Sequence, residues 1–526
     1  MATVVGGRRL KRIPGLRAGR LPVERPLAVA VMNGGMVADV DPADIKDNQA
    51  SLLKNARIRR GKTTRRFGKS SYLPTKPNSN AVIRMFDHRI GDTTYYRIRL
   101  TANNIYFTDG SSWTQIAGTF LSKPLDIASI LGTLVVADGI NRLQKIDLEA
   151  ETISGLGTIA PRAKYVTGFS ERVVGANVGN SDEAIESLWW SGNRNLDEFD
   201  ALEDISAGNK RLDTSPRTVV DPISGVFGFS SVMIIPRERS IWLATQNPIA
   251  SNPFNTFRAV PGIGTDLPGS IAIGREKIIF VDSRTRDVIV YSPGNPIQSI
   301  GSPIRDVILD NITDAEAISS TYFESEDEYF VTITESATVK VWVVNIKSGV
   351  WQYDEVPNLT SLDSLTGFSS YTSFDDATGT FNAASGTFDA ASVTPVVVPV
   401  LVYGYSTGLL LKEDSSVQQD NSVDYTFELR SKEFKTIKED IVITRILIEY
   451  QATVSGSIIL QYSRDGGTTW KTGKTVTTNT GKVREIRLKK QIRTRRLMWR
   501  VTATDGQFDI LGYEVDISVG GESKGE

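Results

Sequence analysis

The most specific chemistry-bearing pattern in the chain is Ser463-Arg464-Asp465-Gly466-Gly467-Thr468-Thr469-Trp470, which matches S-x-D-x-G-x-x-W. A short carboxylate followed by two glycines suits a tight turn. The carboxylate accepts backbone N–H groups, and glycine enters positive φ without a Cβ clash. Ser463, Asp465, Gly467 and Trp470 are therefore expected to form a structural hairpin turn, with Trp470 closing its apolar side. Paired carboxylates are a second route to chemistry, since glycoside hydrolysis needs only two. Glu324, Glu326, Asp327 and Glu328 cluster, but they lie between TYF and YFVTIT, where a hairpin turn exposes charge. They read as solvated. Asp39, Asp41 and Asp44 begin like a calcium loop, yet Asp44 stands where that loop needs glycine and Ala50 where it needs glutamate. Gly262-Ile263-Gly264-Thr265-Asp266-Leu267 lacks the third glycine and the helix of a dinucleotide fingerprint.

Composition narrows the chemistry further. The chain has 526 residues, no cysteine and one histidine, His88. Disulfides, thiolate zinc sites, Fe–S clusters and cysteine nucleophiles are excluded, and a multi-histidine metal site with them. His88, in RMFDHR, reads as a strand or turn residue. No catalytic, cofactor-binding or metal-binding residue is assigned, and the chain is expected not to be an enzyme. No apolar run reaches the ~18 residues of a transmembrane helix. Arg17, Arg20 and Arg25 interrupt any signal-peptide core, so synthesis in the cytoplasm is expected.

Positive charge is nearly balanced overall, 60 Lys and Arg against 61 Asp and Glu, but it is segregated. Residues 1–70 carry a net +11, residues 71–430 a net −17, and residues 431–526 a net +5. Such asymmetry suggests that the ends and the middle face different partners. Two basic clusters stand out as candidate docking surfaces. One is Arg57, Arg59, Arg60, Lys62, Arg65 and Arg66 in ARIRRGKTTRRFG. The other lies between Lys482 and Arg500, nine basic residues against the single Glu485, with Arg487 and Lys489 at outward positions. The alternative for both is a solvated face.

The elements that must position these residues are almost all strands. Residues 1–70 read as a basic arm, a short helix in DNQASLLKNA with Asp47 as N-cap and Leu52 and Leu53 facing the core, and a hairpin about Arg60-Gly61-Lys62. Residues 71–423 hold groups of short strands at a spacing of ~40–50 residues, the mark of a β-propeller. Six groups are clear, from VIRMFDH onward to the one ending GVWQYDE, and VLVYGYSTGLLLKED begins a further one, so six or seven blades are expected. A low-complexity insert near 372–395 repeats Phe374, Phe381 and Phe388 among small polar residues. Residues 424–526 alternate with period 2, as in Ile446, Ile448 and Tyr450, and read as an antiparallel β-sandwich. The fold class is all-β, with a pair of sandwiches as the other architecture.

Several segments together resemble the β-propeller nozzle, or knob, proteins in the tails of short-tailed bacteriophages. They are Asn33-Gly34-Gly35-Met36, Asp41-Pro42-Ala43-Asp44, Asn48-Gln49-Ala50, Asn55-Ala56-Arg57 and Arg65-Arg66-Phe67-Gly68, then LWWSGNRNLDEF, PGIGTDLPGSIAIGREKIIFVD, PIRDVI, GVWQYDE and SRDGGTTW. The resemblance spans about 35–518. It implies a virion structural protein, a homohexameric ring below the portal and adaptor that forms the DNA exit channel and takes part in genome retention and ejection. Implied partners are adaptor and portal proteins, tail fibres, passing double-stranded DNA and the host envelope, with the virion tail as the location. It carries over no catalytic residue and no cofactor. A net-acidic propeller would repel DNA phosphates, which fits a channel that must not hold its cargo. Because the S-x-D-x-G-x-x-W turn also occurs in sialidases, a glycan-binding or glycan-hydrolysing propeller is the alternative.

Overall fold

The computed structural model describes residues 24–520 apart from 30, 74–75, 91–93, 103, 110–111, 117–125, 180, 213–219, 313–317, 336–337, 368–397 and 438–439. The Phe374, Phe381 and Phe388 repeat therefore lies outside the described residues, as does most of the N-terminal arm.

Strands dominate because apolar residues recur at period 2 or in short unbroken runs closed by turn residues. Lys277–Asp282 and Asp287–Tyr291 show the second case, with Ile278 to Val281 and Val288 to Tyr291 all buried. A strand buried on both faces must lie between two layers, and this one does. Five four-stranded antiparallel sheets follow one another along the chain. They run from Val82–Ile90 to Thr114–Ile116, Asp126–Ile130 to Thr152–Gly155, Ala163–Phe169 to Gly208–Arg211, Phe227–Gly228 to Phe254–Pro261, and Ala272–Gly274 to Gln298–Ser299. A sixth antiparallel set runs from Ser320–Phe323 to Val350–Glu355.

The seventh set is assembled from both ends of the chain. Leu359–Gly367, Val398–Tyr405 and Leu410–Asp414 supply three strands, and Gly68–Ser71 pairs antiparallel with Leu410–Asp414 as the fourth. Gly68 also lets the 417–419 segment lie against this strand, since a Cβ there would collide with the Gln419 backbone. Each successive pair of sheets shares its own apolar core. Ile98 meets Leu134, Val135 meets Val173, Trp190 meets Met233, and Ile234 meets Phe280. Val281 and Tyr329 share the next cluster, Phe330 and Leu362 the one after. Met85 of the first sheet then shares a core with Leu365 of the seventh.

The sixth set does not end at Val350–Glu355. Leu52–Lys54 pairs with it in parallel, Lys54 opposite Tyr353, and on its other side pairs antiparallel with Phe427–Arg430. The same sheet continues through Arg496–Ala503, Ser457–Ser463 and Lys471–Thr477. A second C-terminal sheet orders Ala56–Arg59, Lys62–Arg65, Gln507–Gly520, Asp440–Val454 and Val483–Thr494, with Glu24–Val29 also on Gln507–Gly520. Ile446, Ile448 and Val515 of this sheet pack with Leu460, Trp499 and Val501 of the other.

The helix expected in DNQASLLKNA is absent, and Leu52–Lys54 is a strand. The sequence there suits a helix, but open ladder positions on two neighbouring strands supply its backbone partners, and tertiary context overrides local propensity. The hairpin about Arg60-Gly61 forms as read, with Ala56 opposite Arg65 and Arg59 opposite Lys62.

Candidate functional site

Three places gather polar side chains: the N-terminal hairpin, the C-terminal edge with its turn, and the axis of the sheets. At the hairpin, half of the candidate docking residues face inward. Arg57, Arg65 and Arg66 are each at most 2 % exposed. Arg57 donates to both Asp354 carboxylate oxygens at 2.9 and 2.7 Å and to Glu413 at 2.8 Å. Arg66 grips Asp420 at 2.8 and 2.6 Å, and its guanidinium lies 3.6 Å from the Tyr425 ring centroid. Arg65 donates to the carbonyls of Gly506 and Thr504, both at 2.8 Å. These three are internal ties and offer no docking surface. Arg59 and Lys62 are half-buried, in ion pairs with Glu326 and Asp509, and Arg60 is exposed at the turn.

Burial alone would raise the Asp354 carboxyl, but Arg57, then Arg66 and Lys69, hold it below its usual range. Glu413 and Asp420 are held low by the same competition, against Arg57 in one case and Lys69 with Arg66 in the other. Burial, helped by the Arg66 charge, pushes the Lys69 ammonium down to about 8. Glu328 corrects the solvated reading of its cluster. Glu324 and Glu326 sit exposed on the turn after Ser320–Phe323, but Glu328 is 2 % exposed, and burial pushes its carboxyl up to about 7 despite Arg57 4.0 Å away. Asp354, Glu413 and Asp420 were not identifiable from spacing, since they lie 297, 356 and 354 residues from their arginines.

In the C-terminal region Arg487 and Lys489 are exposed, alternating with buried Ile486 and Leu488. Val483–Thr494 pairs only with Asp440–Val454 among the described strands and forms the sheet edge. Charge on an edge strand blocks unwanted strand addition. The Ser463–Trp470 segment joins Ser457–Ser463 to Lys471–Thr477 as a hairpin turn. Asp465 accepts the Ser463 hydroxyl at 2.6 Å and the Thr469 N–H at 2.9 Å, and Gly467 N–H donates to Ser463 Oγ at 2.9 Å. The Ser463 and Thr469 hydrogen bonds hold the Asp465 carboxyl far below its usual range. Trp470 is half-buried, with the Arg500 and Arg430 guanidinium groups 4.4 and 5.6 Å from ring centroids, so cations cover it.

The first strands of the seven sets surround a cavity of about 1760 Å³. Six carboxylates line it against three cations, Arg84, Lys164 and Arg275. Among the described residues neighbouring first strands form no ladder with each other, and polar side chains on them or on segments beside them tie the sets instead. Arg84 donates to Asp126 at 2.8 Å, and Asp126 accepts Val166 N–H at 2.9 Å. Thr167 Oγ1 accepts Gly228 N–H at 3.0 Å, and Ser224 donates to the Thr265 carbonyl at 2.5 Å. Tyr329 donates to the Ser270 carbonyl at 2.7 Å, and Ser319 Oγ accepts Leu362 N–H at 2.9 Å. Asp363 accepts Met85 N–H at 2.9 Å, while Thr360 donates to the Val82 carbonyl at 2.7 Å. The wall strips water from Asp363 and pushes its carboxyl up to about 7.

The remaining lining carboxylates are likewise engaged: Asp87 with Arg97, Asp138 with the Ile140 and Asn141 N–H groups, Asp266 with Ser283, and Glu324 with Arg275. His88 is buried in the first strand, with Nδ1 3.0 Å from Ser129 Oγ. Among the described residues no group of three or more His, Cys, Asp or Glu is placed to hold a metal. These axial ties were missed in the sequence, although a short polar residue in the first strand of three groups (Asp126, Thr167, Asp363) was a usable signal.

No protein-family model and no curated protein matches the chain. Among solved structures it is similar to an auxiliary nutrient binding protein from Bacteroides thetaiotaomicron, at 8% identity over 50% of this chain and 73% of that one, TM-score 0.31. It is similar also to the WD40 β-propeller domain of Doa1, at 11% identity over 66% of this chain and 98% of that one, TM-score 0.35. A third is the dihydro-heme d1 dehydrogenase NirN, at 11% identity over 56% of this chain and 60% of that one, TM-score 0.35.

Proposed function

We propose that the chain is a ring-forming structural protein of a short-tailed phage tail, a nozzle, built as a seven-bladed propeller with a C-terminal sandwich. Seven successive strand sets, each sharing a core with the next and the last with the first, support the propeller reading. The observation that carries the structural role is the commitment of every carboxylate named along the axis to a tie within the wall. A hydrolase needs a free acid and base facing its substrate, and here Asp126 and Asp363 are occupied between neighbouring sets while Asp87, Asp138 and Asp266 are occupied within their own. The resemblance across 35–518 supplies the identity of the assembly, and the net −17 of residues 71–430 suits a surface that DNA must pass without sticking.

Immunogold electron microscopy of virus particles, with an antibody raised to this chain, tests the reading. Label confined to the tail end is expected. Unlabelled particles beside free protein in the lysate would overturn it. A second reading rests on the open axial cavity of about 1760 Å³, which has room for a glycan beside Phe86, Tyr165 and Phe227. Retention on a glycan array, with Asp363→Asn abolishing it, is the result that would favour this alternative.

A further inference from the structure

One joint between neighbouring sets is built unlike the others. Where the seventh set meets the first, the shared core is Val82, Met85, Leu365, Val402 and Leu410, and Tyr72 and Trp113 at its rim are half-buried. Every other joint buries at least eight apolar side chains among the described residues. With less apolar area removed from water, more of the joint is left to polar ties. Two come from Leu359–Gly367, the inner strand of the seventh set: Thr360 donates to the Val82 carbonyl at 2.7 Å, and Asp363 accepts Met85 N–H at 2.9 Å. The two sets approach closely because Gly404 has no Cβ, which would fall 2.8 Å from Val82 Cβ. The outer strand of the seventh set, Gly68–Ser71, arrives from the other end of the chain.

That close approach holds an ionisable group where ionisation is costly. Two charged groups face Asp363, Arg84 and Asp87, both on Val82–Ile90. Arg84 is engaged with Asp126 at 2.8 Å, and Asp87, bound by Arg97, is a like charge. Val402 stands opposite Asp363 across the ladder, and the sixth set sends Ser319 to the adjacent Leu362 N–H; neither residue is charged. A neutral carboxylic acid suits this place, whereas a carboxylate has a backbone N–H in exchange for the water it gave up. Parting the two sets returns that water and, with it, the ordinary carboxylate value of about 4.

We propose that the joint between the seventh and first sets is where the sets part, and that ionisation of Asp363 drives them apart. Local opening of this kind draws on the least stable joint of a fold while the rest stays intact. The closed joint, where loss of water holds the Asp363 carboxyl up at about 7, binds the proton more tightly than the open one. Closure is therefore favoured at low pH and loses ground as pH rises from about 4 to about 7, by up to tenfold per pH unit. Opening here uncovers the flank of the axial cavity, which Leu359, Asp363 and Leu365 line beside Ala81 to Asp87. The device acts within a single chain and does not depend on the tail assignment: virus particles without label would leave it standing.

The cysteine-free chain allows a direct test. Val402→Cys places a thiol in the core of this joint and Val174→Cys places one in the core between the third and fourth sets; both valines are buried. Each native full-length variant is labelled with methyl methanethiosulfonate, and its rate is divided by that of the same variant unfolded in urea at the same pH. From pH 5.5 to pH 8 this ratio is expected to rise about tenfold or more for Val402→Cys relative to Val174→Cys. Adding Asp363→Asn, whose amide oxygen can still accept Met85 N–H, is expected to abolish that difference. Equal rises at the two sites, or a difference that persists with Asp363→Asn, would overturn the proposal. Hydrogen exchange of the wild-type chain gives a second reading that needs no cysteine. After correction for intrinsic rates, peptides containing Met85 should lose protection over the same pH range by about tenfold more than peptides containing Val173. Parallel loss in the two would also overturn it.

Discussion

Residues 57–69 and 482–500 carry dense positive charge of the same residue types, and the fold treats them in opposite ways. In the first, Arg57, Arg66 and Lys69 are buried against Asp354, Glu413 and Asp420, carboxylates contributed by strands and loops of the sixth and seventh sets and beyond. In the second, Arg484, Arg487 and Lys489 remain in solvent on a sheet edge. The difference shows that a basic run has no intrinsic meaning. Where the run crosses between two sheets, its charges are desolvated and must be matched. Where it lines an edge, water does the matching and the charges stay available to a partner.

The buried cluster should be the more sensitive to single changes. Asp354→Ala leaves Arg57 without its bidentate partner and Arg66 without a near neighbour, and is expected to cost ~3–5 kcal/mol, read from denaturant melts of the intact chain. Because Asp354, Glu413 and Asp420 are held low, their contribution is present above ~4, the ordinary carboxylate value, and is lost as pH falls below it. A variant as stable as the wild type would erase the contrast between the two basic stretches.

Glu328 sharpens the comparison with the opposite sign. Its folded value of about 7 lies above the unfolded one, so the folded state holds the proton longer and stability falls as pH rises from the unfolded value to about 7. Glu328→Gln is expected to flatten that fall and to stabilise the chain at pH 8 by about 1–3 kcal/mol. A melting series from pH 4 to pH 8 with parallel curves for the two proteins would refute the assignment. At the other extreme, Arg487→Ala on the exposed edge should leave the melt within ~0.5 kcal/mol of wild type. A larger loss would mean that the edge is as much a part of the folded core as the hairpin.

The four-strand grouping was legible because its cause is local: alternation and unbroken apolar runs such as KIIFVD and DVIVY are written within a few residues of the turns that end them. The Ser463–Trp470 turn was legible for the same reason, since among the described residues the Ser463 and Asp465 side chains bond within the turn itself. Leu52–Lys54 reads locally as helix because its strand partners, Tyr353 and Arg430, lie hundreds of residues away. The axial ties escaped for a related reason. Asp363 gains its role from Met85 N–H, which approaches only when the seventh set meets the first.

By itself the sequence determined the class of structure and the limits of its chemistry: an all-β chain with no cysteine, one histidine and segregated charge. Composition and short-range periodicity are properties of neighbouring residues, and they survive in any fold. Tertiary structure alone decided which arginines are ties and which are surface, that Glu328 is buried, and that Gly68–Ser71 completes a sheet begun at Leu359. Those outcomes depend on which distant groups compete with water for each charge and each backbone N–H, and that competition exists only once the sheets have met.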